Sequence, residues 1–150
     1  MEYYEYGDLA SAKLRWVKSE TTLPNQFEAQ YYPNSYLLGE PLLERIDPSI
    51  NFNWQLTSPL AADSDEGDNF SARWTGMVNF EKSGTYEFTA TCDDGCRVWV
   101  GNELLINAWK AQASTTYTKS ITLTAGEHRV IMEYQEFGGA AVAKLRWNSL

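Results

Sequence analysis

The sequence is poor in the residues on which many catalytic and phosphate-binding sites depend. It contains one histidine and two cysteines, and its 20 aspartates and glutamates outnumber its 12 lysines and arginines, for a net charge of −8. Because affinity for nucleic acid comes mainly from clustered Lys and Arg, this balance argues against a nucleic-acid partner. No stretch approaches the roughly 20 apolar residues that a membrane-spanning helix needs, so we also expect no membrane insertion.

Catalytic motifs are missing too. The only histidine, His128, has no nucleophile motif of the Gly-x-Ser-x-Gly kind to serve, and the sequence holds no phosphate loop or dinucleotide fingerprint. The adjacent carboxylates of Asp93 and Asp94 cannot flank a glycosidic bond, because glycosidases hold their two carboxyl groups roughly 5 to 9.5 Å apart across a cleft. We therefore predict that the chain is not an enzyme.

What the chain has in quantity is the pattern of β-strands. Apolar and polar residues alternate with a period of two, and turn sequences containing glycine separate the alternating stretches. Many short strands at this spacing predict an all-β fold, an antiparallel β-sandwich. The predicted strands cover residues 26–32, 49–54, 69–80, 85–92, 96–100, 103–107, 117–124, 128–134 and 143–147.

An internal repeat bears on the domain organisation. Residues 1–16, MEYYEYGDLASAKLRW, match residues 132–147, MEYQEFGGAAVAKLRW, at 11 of 16 positions. An offset of this size corresponds to a whole domain. We therefore interpret residues 1–18 as the terminal strands of a preceding tandem copy and residues 19–150 as the sandwich domain. The alternative is that residues 1–18 form an edge hairpin of this same domain.

Tight turns sort the loops onto two ends of the predicted sandwich, because each tight turn reverses the direction of the chain. Counting directions from strand 85–92 places four loops at one end, namely 58–68, 93–95, 108–116 and 135–140. Binding residues usually collect in loops that a rigid scaffold holds. We predict the functional site at this end.

The strongest cation-binding signal at this end is Asp93 next to Asp94. A cis peptide bond would turn both carboxylates the same way, and a shared cation would hold them there. Oxygen-only ligands favour Ca²⁺, which takes about 6 to 8 of them. The alternative is a plain turn, since Asp and Gly are favoured in turns. The remaining predicted ligands come from the Gly-rich loop and are Gln135, Glu136, Phe137 and Gly138.

Other side chains at this end are candidates for sugar contact or for solvated charge. Open positions on a bound calcium would accept sugar hydroxyls, and Phe137 and Gly139 lie in the loop beside it. The direction count also brings Asn107 and Trp109 near, where an amide can bond hydroxyls and a ring can stack on a sugar face. For Trp109, packing in the core is the favoured alternative. The spacing of the acidic residues Asp63, Asp65, Glu66 and Asp68 allows a second calcium site, but the loop lacks the full twelve-residue EF-hand pattern and we interpret it as solvated charge. We interpret the strand residues Trp54, Trp74, Trp99 and Trp147 as packing residues.

The two cysteines flank the aspartate pair. If residues 93–95 form a three-residue hairpin loop, Cys92 and Cys96 face each other across the strands within disulfide reach. Two cysteines alone cannot make a structural zinc site. We predict a Cys92–Cys96 disulfide, which indicates an oxidising, extracellular setting.

Six sequence blocks follow one another between residues 23 and 147: FEAQYY, ERIDPSINFNW, DNFSARWTG, SGTYEFTATCDDGCRVWVGNELLINAW, LTAGEHRVIMEY and GGAAVAKLRW. Through these blocks, residues 23–147 resemble the protective-antigen fourteen-kilodalton domain family, a lectin-like β-sandwich module of toxins, glycosidases, adhesins and yeast flocculins. The resemblance implies a calcium held by two cis-linked aspartates, which correspond to Asp93 and Asp94, and a second calcium loop, which corresponds to 135–140. The flocculins have Asn in that loop, whereas this chain has Gln135 and Glu136.

Two functions fit these observations. The first is a calcium-dependent carbohydrate-binding module of an extracellular or cell-surface protein, with glycans or surface polysaccharide as its partners. The second is a calcium-stabilised structural repeat of a surface fibre or adhesin stalk, with neighbouring copies of the same domain as its partners. Both predict calcium binding, and only sugar binding separates them.

Overall fold

The computed structural model describes residues 25–60 and 67–150, which form ten β-strands in two sheets. The prediction for residues 1–18 and the acidic residues Asp63, Asp65 and Glu66 lie outside the described residues. Among the described residues, no helix is long and apolar enough to cross a membrane. The strands are β1 (Phe27–Tyr32), β2 (Leu43–Asp47), β3 (Asn51–Gln55), β4 (Phe70–Phe80), β5 (Gly84–Asp93), β6 (Gly95–Val100), β7 (Glu103–Ala108), β8 (Thr115–Leu123), β9 (Gly126–Glu136) and β10 (Ala141–Ser149).

The two sheets form an antiparallel sandwich, so the predicted fold class is confirmed. One sheet has six strands in the order β2-β1-β4-β9-β6-β7, and the other has four in the order β3-β10-β5-β8. Alternate side chains of a strand point to opposite faces, so the apolar half of each period-2 pattern meets in one core. The largest fully buried side chains of this core include Trp74, Tyr31, Tyr134, Phe27, Phe70 and Phe88.

All nine predicted strands are present, with bounds that differ by at most two residues, but the tenth strand, β2, was not predicted. In β2, Arg45 pairs with Ala29 and Asp47 pairs with Phe27, so both charged side chains lie on the inward-facing side of the sheet edge. Asp47 is buried there, where the alternation rule expects an apolar residue. Because its inward positions are charged, this strand lacks the apolar–polar alternation from which strands are predicted.

The sandwich corrects one step of the cysteine argument. We expected Cys92 and Cys96 to face each other in a hairpin of one sheet, but β5 belongs to the four-stranded sheet and β6 to the six-stranded sheet. The chain crosses between the sheets at Asp94. The structure joins Cys92 and Cys96 by a disulfide, with 6.0 Å between their Cα atoms. This bond therefore connects the two layers of the sandwich at the end that carries the predicted site.

Candidate functional site

Loops that are distant in sequence meet at one end of the sandwich. The backbone N–H of Gly139 donates a hydrogen bond to Asp68 Oδ1 at 3.0 Å. The N–H of Phe137 donates to Asp94 Oδ2 at 2.9 Å, and the N–H of Gln112 donates to Asp94 Oδ1 at 3.0 Å. Segments that precede β4, follow β5, follow β7 and follow β9 are thus bonded together, as the direction count predicts.

Gly95 allows two of these segments to approach. A Cβ atom at this position would lie 2.8 Å from both the backbone N and O of Lys110, and 2.7 Å from Nε2 of Gln135. Backbone atoms of a neighbouring segment cannot move aside as a flexible side chain can. The glycine after the aspartate pair is therefore required by the close packing of the β7–β8 connection.

Three carboxylates converge at the centre of this end. The peptide bond between Asp93 and Asp94 is cis. One carboxylate oxygen from each of Asp93, Asp94 and Glu136 lies within 4.8 Å of the other two. Glu136 is fully buried, and Asp94 is 7% exposed. Asp93 is half-buried. Carboxylates this close together, two of them buried, repel each other strongly unless a proton or a cation lies between them.

The surroundings of Glu136 test whether a cation fits. The Tyr134 hydroxyl donates to Glu136 Oε2 at 2.8 Å and also bonds the backbone carbonyl of Asp93. The other carboxylate oxygen, Glu136 Oε1, is buried and has no hydrogen-bond partner among the described residues, and neither has Oε1 of Gln135. An anionic, oxygen-rich set with unpartnered buried oxygens matches the ligands of a hard divalent cation. The residues present therefore fit a cation.

The same crowding changes the proton affinity of the cluster. Burial raises the pKa of Glu136 to about 7, and the negative charges of Asp94 and Asp93 add to this, while the Tyr134 hydrogen bond opposes it. Burial and the charge of Asp94 also raise the pKa of Asp93, against a hydrogen bond from the backbone of Ser114. Between about pH 4.5 and 7, the folded protein without a cation should therefore hold a proton on Glu136 that the unfolded chain would release.

Comparison with known proteins identifies the family. The family model of the PA14 domain matches residues 26–150. The chain belongs to the PA14 domain family. The family resemblance predicted from the sequence is therefore confirmed.

This PA14 domain is similar in sequence to two anti-sigma factor proteins and in fold to a domain of an adhesin. It is 45% identical over 107 residues to anti-sigma-I factor RsgI3 of Acetivibrio thermocellus, covering 70% of this chain and 16% of the relative. A solved anti-sigma factor domain-containing protein is 41% identical, with a TM-score of 0.74, and the match covers 82% of this chain and 42% of that one. A PA14 sugar-binding domain from an RTX adhesin is 22% identical, with a TM-score of 0.65 over 85% of this chain and 91% of that one, and shares the fold. The chain thus spans less than half of either anti-sigma relative.

We predict that this PA14 domain, with divalent ions removed by a chelator, becomes less stable as the pH rises through the weakly acidic range. Because the pKa of Glu136 rises from 4.5 to about 7 on folding, the folded state binds more protons than the unfolded state between these values. The free energy of unfolding should therefore fall as pH rises from about 4.5 to about 7. Urea unfolding at several pH values measures it. A Glu136→Gln variant that retains the whole wild-type slope would contradict the prediction.

The structure places the remaining predicted site residues in two groups. The backbone of Phe137 is bonded to Asp94, Gly138 and Gly139 lie against Asp68, and the side-chain amide of Gln135 lies beside Gly95. Two others lie against Arg97 instead. The Trp109 ring is 4.0 Å from the Arg97 guanidinium, and Asn107 is the exposed cross-strand partner of Arg97. Sugar contact by Asn107 and Trp109 stays a prediction.

The connection after β1 contributes residues to this end that the sequence reasoning missed. Ser35 Oγ donates to the backbone carbonyl of Glu136 at 2.5 Å. Tyr36, 59% exposed, lies with its ring centroid 5.8 Å from that of Phe137. The direction count from the sequence begins at β4 and does not include β1. Tyr32, at the end of β1, pairs with Ser71 at the start of β4. Extending the count back to β1 therefore places this connection at the same end.

Proposed function

We propose that this PA14 domain is a calcium-dependent carbohydrate-binding module of a larger protein of the anti-sigma-factor type. The observation that carries the proposal is the convergence of the Asp93, Asp94 and Glu136 carboxylates at one end of the sandwich. The burial of Glu136 and its unpartnered Oε1 support it. Ca²⁺ is the preferred ion because it accepts an all-oxygen ligand set of variable geometry.

The protein residues have distinct tasks in this proposal. Asp93, Asp94 and Glu136 supply the negative charge, and the backbone N–H groups of Gln112 and Phe137 orient Asp94. A bound calcium would supply positive charge and free coordination positions for vicinal sugar hydroxyls. Because hydrogen bonds already hold these loops in place, the protein side chains would lose less conformational entropy on binding calcium than mobile side chains would.

An exposed aromatic pair suits the sugar itself. Tyr36 and Phe137 pack edge to face, with 63° between their ring planes, and the backbone of Phe137 is bonded to Asp94. Aromatic faces and edges bury the C–H surfaces of sugar rings while a polar group holds the hydroxyls. The pair therefore lies where a sugar bound to the carboxylate cluster would meet it.

The relatives suggest the context in which such a module works. One relative carries the name anti-sigma-I factor, and another is an anti-sigma factor domain-containing protein. In a protein of that type, a glycan-binding module would make the regulator responsive to a polysaccharide. The Cys92–Cys96 disulfide favours placement of the module outside the reducing cytosol.

The test is calorimetric titration with calcium, followed by fucose, mannose, galactose and glucose. We expect calcium binding, and sugar heat that depends on calcium and disappears with a chelator. Asp93→Asn should lose both signals, whereas Glu127→Gln, an exposed residue on the same strand as Glu136 but near its other end, should lose neither. Calcium binding without heat from any glycan would favour the structural repeat instead, and no calcium binding would refute the proposed site.

A further inference from the structure

The outer face of the six-stranded sheet carries two rows of side chains that cross all six strands. The strand registers align one polar row, made of Glu44, Gln30, Arg73, Glu133, Arg97 and Asn107. They align a second, more apolar row, made of Ile46, Glu28, Thr75, Ile131, Trp99 and Leu104. In the second row Ile131, Trp99 and Leu104 are cross-strand neighbours, so an apolar strip lies beside the polar row. A contiguous apolar patch with a polar rim is typical of an interaction surface.

A groove of about 490 Å³ opens on this face, over the β6–β7 turn and the neighbouring strands. Its volume falls within the range of small-ligand sites. Trp99, which we predicted to be a packing residue, lines this groove and is absent from the apolar core. Its ring centroid lies 5.4 Å from the Arg97 guanidinium on the outer face instead. The lining residues are Arg73, Trp99, Gly101, Asn102, Arg129, Ile131 and Glu133.

The charge of the groove is opposite to that of the chain. Glu133 is 7% exposed and is held between two guanidinium groups, at 2.7 Å from Arg73 and 2.5 Å from Arg97. Arg129 is exposed and forms no ion pair with any residue in 25–60 or 67–150. The residues that line the groove include two arginines, Arg73 and Arg129, and one glutamate, Glu133, so the lining carries a net positive charge in a chain of net charge −8.

We propose that this groove binds a saccharide chain that carries carboxylate groups, a uronate-containing oligosaccharide. The exposed guanidinium of Arg129 pairs with a sugar carboxylate, the indole of Trp99 stacks on a sugar ring, and the amide of Asn102 bonds hydroxyls. A ring that offers an apolar face, hydroxyls and a negative charge together uses all three groups, whereas an acidic peptide uses mainly the guanidinium.

This groove is separate from the carboxylate cluster and does not rest on the proposed calcium site. Arg129 and Glu136 are seven residues apart on β9, which corresponds to about 23 Å along an extended strand. The residues that line the groove include no cluster of oxygen ligands, and the charged side chain among them that forms no ion pair with a described residue is the cationic Arg129. Binding here is therefore independent of calcium, and a second sugar contact at this distance suits a polymer that runs along the sheet.

The experiment titrates trigalacturonate and, separately, neutral xylotriose with the protein in the presence of a chelator. We expect trigalacturonate to bind, xylotriose to bind at least about tenfold more weakly, and added salt to weaken only the former. Arg129→Ala should weaken trigalacturonate by about tenfold. Arg146→Ala removes the same charge from β10 of the other sheet and should change little.

Several results would overturn the inference. They are failure of trigalacturonate to bind in chelator, equal binding of xylotriose, equal losses in Arg129→Ala and Arg146→Ala, and equal binding of a polyglutamate peptide. Trp99→Ala should weaken binding by a similar factor, and Arg129→Ala, at an exposed position, keeps the test valid if Trp99→Ala does not fold. Because every titration contains chelator, its outcome is independent of the calcium-dependent sugar titration.

Discussion

Glu136→Gln is expected to weaken calcium binding at least about 100-fold while making the chelated protein more stable. The loss follows from ligand charge, since the number of carboxylates is a principal determinant of calcium affinity. Two carboxylates would remain in a site where three converge. The variant keeps the size and shape of the side chain, so a lost signal reports the charge and not a collapsed loop.

The gain in stability of the chelated form follows from the same crowding. Glu136 Oε1 is buried without a hydrogen-bond partner among the described residues and lies near two further carboxylates. The amide introduced by Glu136→Gln can keep the acceptor that Tyr134 bonds and donate N–H toward the aspartates. Above about pH 7, where Glu136 is ionised in the chelated protein, replacing this repulsive, unpartnered oxygen by a donor should raise the free energy of unfolding by about 1 to 3 kcal/mol.

Urea unfolding with and without calcium measures both effects, and calorimetry measures affinity. Wild type should gain stability on addition of calcium, whereas Glu136→Gln should not, because ligand binding to the folded state alone stabilises it. Glu127→Gln, the matched change near the other end of β9, should behave as wild type in every measurement. Retained calcium affinity, or a chelated Glu136→Gln protein less stable than wild type, would refute the assignment of Glu136 to the site.

Much of this end of the molecule could be predicted because it depends on short-range rules. Period-2 alternation located nine strands, and counting reversals at tight turns brought Asp94 and Phe137 to the same end, where the structure joins them by a hydrogen bond. Reversal counting works within one sheet and across two, because the chain changes direction in both cases. For that reason the loops were assigned to the correct end of the sandwich, even though Cys96 was assigned to the wrong sheet.

What could not be predicted depends on which face of a strand meets the core. Alternation separates two faces of a strand but does not say which one is inward when both carry large side chains. Trp99 was assigned to packing for this reason, and its opposite neighbours Val98 and Val100 are the buried ones. The converse error hid β2, where the inward face carries Arg45 and Asp47, and only the tertiary partners of Asp47 explain its burial.

Those partners lead to the largest expected loss of stability. Asp47→Ala should lower the free energy of unfolding by about 3 to 5 kcal/mol, a large share of the roughly 5–15 kcal/mol typical of a domain. Asp47 accepts hydrogen bonds from the Tyr31 hydroxyl at 2.6 Å, from Trp74 Nε1 at 2.9 Å and from Arg45 Nε at 2.7 Å. Tyr31 and Trp74 are fully buried, so their donors would find no water as a substitute.

Chemical unfolding of Asp47→Ala, Asp47→Asn and Asp68→Ala separates the contribution of the buried hydrogen bonds from that of the Asp47 charge. Asp47→Asn keeps one acceptor oxygen for the buried donors but loses the charge that pairs with Arg45, so its loss should be intermediate. Asp68→Ala removes an exposed carboxylate that bonds one loop N–H and should cost under about 1 kcal/mol. Because Asp47 anchors β2 to β1 and β4, and not the loop end, folded Asp47→Asn should bind calcium as wild type does. Equal stability of Asp47→Ala and Asp68→Ala would mean that the buried network contributes little, and that the sheet edge is held by backbone pairing alone.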